Sequence, residues 1–150
     1  MTSMISMAGA LLIIHYAATL IMTGAIWLAQ LSLYPLLALV GRETFPRYQA
    51  EHVRRISAVA WTFIYIELIT GIALVFYSPP EIPLSLRLAG MVLIALIFAT
   101  TWGIQYPIHK KLMTGWDARL HSKLVQTNWI RTIGWTARAI LLTVALGRMI

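Results

Sequence analysis

The chain has 150 residues, of which 59% are hydrophobic and 11% charged, with a mean hydropathy of +0.76. A soluble domain carries about 25% charged residues, so this composition excludes a soluble globule, a disordered chain and a collagen-like fibre. The net charge is +7 and cysteine is absent, which excludes disulfides, thiolate metal sites and Fe–S clusters.

The opening Met1-Thr-Ser-Met-Ile-Ser-Met7 has no Lys or Arg and no small-residue cleavage site, so the first apolar run is expected to be retained as a span. Crossing the hydrocarbon takes about 20 apolar residues in a helix. The first candidate covers about 7–33, with continuation past Pro35 toward Val40 left open. Thr44-Phe45-Pro46 then reads as a helix start, with a capping hydroxyl and a proline in the first turn. Phe45, Tyr48, His52 and Arg55 recur on one helical face, which predicts an extension over 45–55. It leads into a second span over 56–77, ended by Ser78-Pro79-Pro80 and Pro83.

The third span is expected over 86–106, stopping at Tyr106-Pro107 because the residue before proline disfavours continued helix. Gly115-Trp116-Asp117 is a turn with an N-cap at Asp117, followed by an extension over 117–128 and a fourth span over 129–149. On that helix His121, Asn128, Arg131, Trp135 and Arg138 fall roughly along one side. The expected fold is all-α: one domain, 1–150, a polytopic bundle of four transmembrane helices. Barrel strands would be ~10 residues long and alternating, which this sequence is not.

Position explains the positive charge. Arg42, Arg47, Arg54, Arg55, Lys110, Lys111, Arg119, Lys123 and Arg131 flank one side, whereas Arg87 and Arg148 are alone on the other. The positive-inside rule then puts both long loops in the cytoplasm and both termini outside. The surplus needs no nucleic acid; it faces anionic lipid headgroups. Trp27, Trp61, Trp102, Trp116, Trp129 and Trp135 gather toward the same side and read as an aromatic belt of membrane anchors.

The two halves look alike. Gln30, Tyr34-Pro35, Gly41, His52-x-x-Arg55 and Trp61 match Gln105, Tyr106-Pro107, Gly115, Asn128-x-x-Arg131 and Trp135. Both hairpins run out–in–out, so the relation is a parallel repeat about the membrane normal, as in some transporters.

Ionisable groups inside a membrane are functional candidates by default, and His15, Glu67 and Arg138 are the three here. Counted from the cytoplasmic end, Glu67 lies about 16 Å and Arg138 about 12 Å deep, which allows an ion pair that locks the bundle. His15 lies about 10 Å below the outer surface with no histidine at matching depth; it reads as a partner for a neighbouring helix, with a haem that is five-coordinate or has an unusual sixth ligand as the alternative. The densest polar set is expected at the cytoplasmic mouth: Gln30, Tyr34, His52, Arg55, Gln105, Tyr106, His109, Asn128 and Arg131. Such a set suits an anionic headgroup, a quinone or a metal, and suits plain interfacial polarity as well. His52, His109 and His121 are the metal candidates, without the spacing of an HExxH-type motif.

Tyr34-Pro35-Leu36, Phe45-x-x-Tyr48-x-x-x-His52-x-x-Arg55 and Thr127-Asn128-Trp129-Ile130-Arg131-Thr132 resemble a family of small uncharacterised bacterial four-helix integral membrane proteins. That resemblance implies a bacterial inner-membrane location and brings no activity. A fainter likeness, through His15, Trp27 and Tyr34-Pro35, is to the HemJ-type protoporphyrinogen oxidases, and implies haem. The expectation that follows is a non-enzymatic accessory subunit of a larger membrane complex, or a homo-oligomer. A haem- or metal-dependent oxidoreductase is the alternative, and a proton-coupled transporter or lipid-handling protein the weaker one.

Overall fold

The structure, a computed structural model, describes residues 7–149; the expectation about the first residues falls mostly outside them. Four helices are long and apolar enough to cross a membrane: α1 (Met7–Leu39), α2 (Phe45–Phe76), α3 (Leu84–Leu112) and α4 (Ala118–Gly147). No strand occurs among the described residues. The helices pack in a ring, with α1 on α2, α2 on α3, α3 on α4 and α4 back on α1. The 40–44 and 113–117 connections meet at one end, hereafter the basic end, and the Ser78–Pro83 turn lies at the other.

The third span does not stop at Tyr106-Pro107. A proline removes one backbone donor and its ring clashes with the carbonyl four residues back. Here the helix widens before the clash. Ala29–Leu33 and Thr101–Gln105 are π-helical turns, and the Tyr34 and Tyr106 N–H groups bond the carbonyls of Ala29 and Thr101, five residues back. Each π turn absorbs one extra residue, so α3 runs on to Leu112 and α1 to Leu39. Sequence reasoning missed this because the rule for proline stops comes from water, whereas in lipid an unsatisfied backbone is costly enough to favour continuation.

The other ends are capped unequally. Asp117 Oδ1 accepts from the Arg119 and Leu120 N–H groups at 2.8 and 2.9 Å, satisfying two first-turn donors of α4. Thr44 starts α2 but does not cap it; its hydroxyl donates back to the Gly41 carbonyl at 3.0 Å. Arg87 Nη1 donates to the Val75 carbonyl at 2.7 Å, closing the C-terminus of α2 from the first turn of α3.

The core alternates apolar and polar layers. One apolar cluster (Leu37, Phe45, Leu112, Leu124) fills the basic end, a second (Met22, Ile64, Ile97, Trp135) lies mid-bundle, and a third (Leu12, Leu74, Leu142, Ala145) fills the far end. Close approach favours glycine at two positions. A Cβ at Gly134 would stand 3.0 Å from Ile97, and one at Gly71 3.1 Å from Ile94 and 3.2 Å from the His15 ring.

The tryptophans do not all serve as anchors. Trp27, Trp102 and Trp129 are exposed on the bundle surface, but Trp135 is 2% exposed and belongs to the core. Trp116 sits in the loop layer, edge-on to Phe45 at 5.0 Å and beneath the Arg42 guanidinium at 4.1 Å. Trp135 differs because it occupies the inward face that α4 shares with Arg131 and Arg138, where packing outweighs the headgroup preference of indole.

Candidate functional site

Two polar layers separate the apolar ones, and each is organised around a buried arginine of α4. Arg138 and Arg131 are seven residues apart, on one helix face and about 10 Å apart along the axis. Both are buried. Their surroundings are opposite.

Arg138 has a partner at each of its three nitrogens. Its Nη2 lies 2.8 Å and its Nε 3.2 Å from Glu67 Oε2, its Nη1 donates to the Gly90 carbonyl at 2.6 Å, and Nη2 also meets His15 Nε2 at 3.1 Å. One side chain of α4 thus reaches α1, α2 and α3. The direction of each bond follows from valence. The Thr70 hydroxyl donates to the Ile66 carbonyl at 2.6 Å, so at 2.7 Å from His15 Nδ1 it accepts. His15 therefore carries its proton on Nδ1 and accepts from Arg138 at Nε2. The Thr19 hydroxyl, near the Glu67 carboxylate, donates to the His15 carbonyl at 3.0 Å. A small cavity of ≈ 30 Å³ runs from this layer toward Arg87 and Ile82 at the far end.

Arg131 has no such partners. The ion pairs of the described residues use Glu67 with Arg138, and Glu51 with Arg54 and Arg55, and Arg131 Nε has no hydrogen bond. Eight buried side-chain N and O atoms are unpartnered among the described residues, and five lie in this layer: Gln49 Oε1, His52 Nε2, Gln105 Oε1, Asn128 Oδ1 and Arg131 Nε. The rest of the layer is knitted together. Tyr34 Oη meets His109 Nε2 at 3.1 Å, Gln49 Nε2 meets His109 Nδ1 at 2.9 Å, and His121 Nε2 donates to the Tyr34 carbonyl at 2.8 Å. Asn128 Nδ2 donates to Gln30 Oε1 at 2.9 Å, and Gln30 Nε2 to the Val125 carbonyl at 3.2 Å. Gln105 Nε2 donates to Thr127 Oγ1 at 2.8 Å, while that hydroxyl donates to Lys123 O, so Gln105 Oε1 is held as an acceptor.

The π turns help form this layer. Along α3 the buried positions step from Thr100 to Gln105, a spacing of five, and continue with Ile108, His109 and Leu112. Without that skip His109 would rotate away from Tyr34.

The structure therefore brings together Gln30, Tyr34, His52, Gln105, His109, Asn128 and Arg131, and separately His15, Glu67 and Arg138. It leaves out Arg55, whose side chain is 73% exposed and pairs with Glu51, and Tyr106, which is 44% exposed. Arg55 points outward because α2 does not bury the Phe45–Tyr48–His52–Arg55 stripe. The inward positions are Phe45 and Gln49, and Tyr48 is 48% exposed. Gln49 is fully buried and was not anticipated; its i+4 spacing from Phe45 was the available signal. Of the metal candidates, His109 uses both ring nitrogens and His121 one, while His52 keeps Nε2 free. Among the described residues no three histidine, aspartate or glutamate side chains converge as a metal set.

Two cavities touch Arg131 on either side of α2. One, of ≈ 70 Å³, lies toward α3 and includes Tyr34, Trp61, Gln105 and His109. The other, of ≈ 30 Å³, lies toward α1 and includes Met22, Ile26 and Val59. Ile56 and Val59 continue from the latter into an open groove whose rim carries Arg47, Glu51 and Arg55.

Compared with known protein families, curated proteins and solved structures, the chain has no match.

Proposed function

We propose that the chain is a non-enzymatic component of a bacterial inner membrane, with both termini outside, that works through the polar layer at its basic, cytoplasmic end. In this reading it receives a small ligand there, as an accessory subunit of a larger complex or within a homo-oligomer. The observation that carries it is the contrast between the two arginines. A buried charge is costly unless paired and hydrogen-bonded; Arg138 meets that requirement inside the chain, and Arg131 does not. The parallel repeat draws support from the π turn that precedes Tyr-Pro in each half.

Native mass spectrometry of the chain purified in mild detergent tests this reading. The expected result is a retained small molecule or partner subunit that Arg131→Gln releases. A strictly monomeric species with nothing bound refutes it. A Soret band or stoichiometric metal in the same preparation would instead support the oxidoreductase reading, for which the free Nε2 of His52, with its ring centroid 6.1 Å from that of His109, is the one favourable feature.

A further inference from the structure

From the geometry around Arg131 we infer that this layer is a binding site for the carboxylate of a membrane-borne acyl chain, with Arg131 as its counter-ion. The inference rests on the reading above and names the ligand class.

The charge comes first. Arg131 is 7% exposed, has no carboxylate within ion-pair distance and no hydrogen bond at Nε. A cation in that position favours an anion over a neutral head such as a quinone. Guanidinium matches carboxylate and phosphate geometry alike, and charge separates them. Arg131 is the one arginine or lysine lining the larger cavity, of ≈ 70 Å³. It balances the single charge of a carboxylate, whereas a phosphate monoester carries about −1.5 to −2 at pH 7 and would leave the excess buried and unpaired. A hydroxyl donor is also at hand. With Gln49 Nε2 as the donor to His109 Nδ1 at 2.9 Å, His109 Nε2–H donates to the Tyr34 oxygen, and the phenolic O–H is free to turn into the cavity. Gln105 Oε1 is fixed as an acceptor on the same wall, so the anion sits on the Arg131–Tyr34 side.

The walls specify the rest of the ligand. Beyond the head, Ile56 and Val59 line both the cavity toward α1 and the open groove, which Leu33 also lines, and Val59 is 46% exposed on the outside of the bundle. This exit is therefore apolar and lateral, which suits a hydrocarbon tail lying in the bilayer. Arg47 and Arg55 on the rim of the adjoining groove bring an anion to the entrance from the headgroup level.

The test uses the full chain in phosphatidylcholine nanodiscs, with radiolabelled palmitate, hexadecanol, hexadecyl phosphate and propionate as probes. The expected result is one palmitate per chain and binding at least about tenfold weaker in Arg131→Gln, the size of a lost charge-assisted hydrogen bond. Arg119→Gln, at an exposed arginine that lines neither cavity nor the groove, should bind as the parent does. Hexadecanol or hexadecyl phosphate binding as tightly as palmitate overturns the carboxylate, propionate binding as tightly overturns the acyl chain, and unchanged binding in Arg131→Gln overturns the site. Should Arg131→Gln fail to fold, the comparison of palmitate with hexadecanol on the parent protein decides alone. If palmitate does not bind while native mass spectrometry finds another retained molecule, the inference falls and the broader reading stands; if nothing is retained, the broader reading falls too.

Discussion

Glu67→Gln is the sharpest probe of the mid-bundle layer. The substitution keeps the side-chain volume and removes the one negative charge facing Arg138, which is 1% exposed and bonded to Glu67 Oε2 at 2.8 and 3.2 Å. Removing one member of a buried pair costs about 3–5 kcal/mol, because the remaining charge is left uncompensated. The bonds from Arg138 to the Gly90 carbonyl and to His15 survive, and polar contacts between membrane helices contribute only about 0.6–2 kcal/mol each. We therefore expect a loss near the lower bound, about 3 kcal/mol. The double variant Glu67→Gln/Arg138→Met removes the stranded charge and should recover at least about 1 kcal/mol of it, since a buried pair replaced by apolar groups is often neutral. Reversible unfolding in mixed detergent micelles, followed by tryptophan fluorescence, measures both. A Glu67→Gln loss below about 1 kcal/mol, or a double variant worse than the single one, would show that the pair does not hold the helices together.

Three further outcomes are expected. Gly134→Ala, whose Cβ would meet Ile97 at 3.0 Å, should cost about 1–3 kcal/mol by overpacking, whereas Gly103→Ala, with nothing within 4 Å, should be neutral or stabilising by about 0.5–1 kcal/mol; thermal melts of the two in one detergent compare them directly. Deleting Gly103 outright should be far worse than substituting it. It removes the extra residue of the π turn, turns His109 by about 100° and breaks the 3.1 Å contact with Tyr34, so a folded deletion variant with a parent-like melt would refute the proposed role of the π turn. Because the chain has no cysteine, single cysteines report topology: exposed Glu81→Cys should react with an impermeant maleimide in intact cells and exposed Ser122→Cys only after permeabilisation. The reverse pattern would invert the orientation.

The sequence disclosed the four spans because charge is so scarce that each apolar run stands out between its basic flanks. It disclosed the Glu67–Arg138 pairing for a related reason, since two opposite charges at similar depth have few other ways to be satisfied. Arg131 was harder to read. The charge pattern sets it among the flanking basic residues and the helical spacing at the start of the fourth span; only the packing shows it buried and without an ion-pair partner. The repeat misled at the same level: it equates Arg55 with Arg131, yet one is solvated and the other buried, because two helices with matching residues are rotated differently about their axes. Periodicity also chose the wrong face at the start of α2. Several aromatic and charged residues there are compatible with more than one stripe, and the contact of Phe45 with Trp116 selects between them.

The reach of Arg138 to three other helices bears on how the chain enters a membrane. Of the four candidate spans, α4 is the least apolar, and an arginine near the middle of an isolated helix opposes insertion by about 2.5–3.5 kcal/mol. The groups that relieve that penalty, Glu67, Gly90 and His15, all lie earlier in the chain. Synthesis delivers them first, so the last helix meets its counter-charge already in place. Insertion of α4 thus depends on prior assembly of α1 to α3, and a defect at residue 67 should appear as a topological failure of the C-terminal helix during biogenesis before it appears as instability of the finished protein.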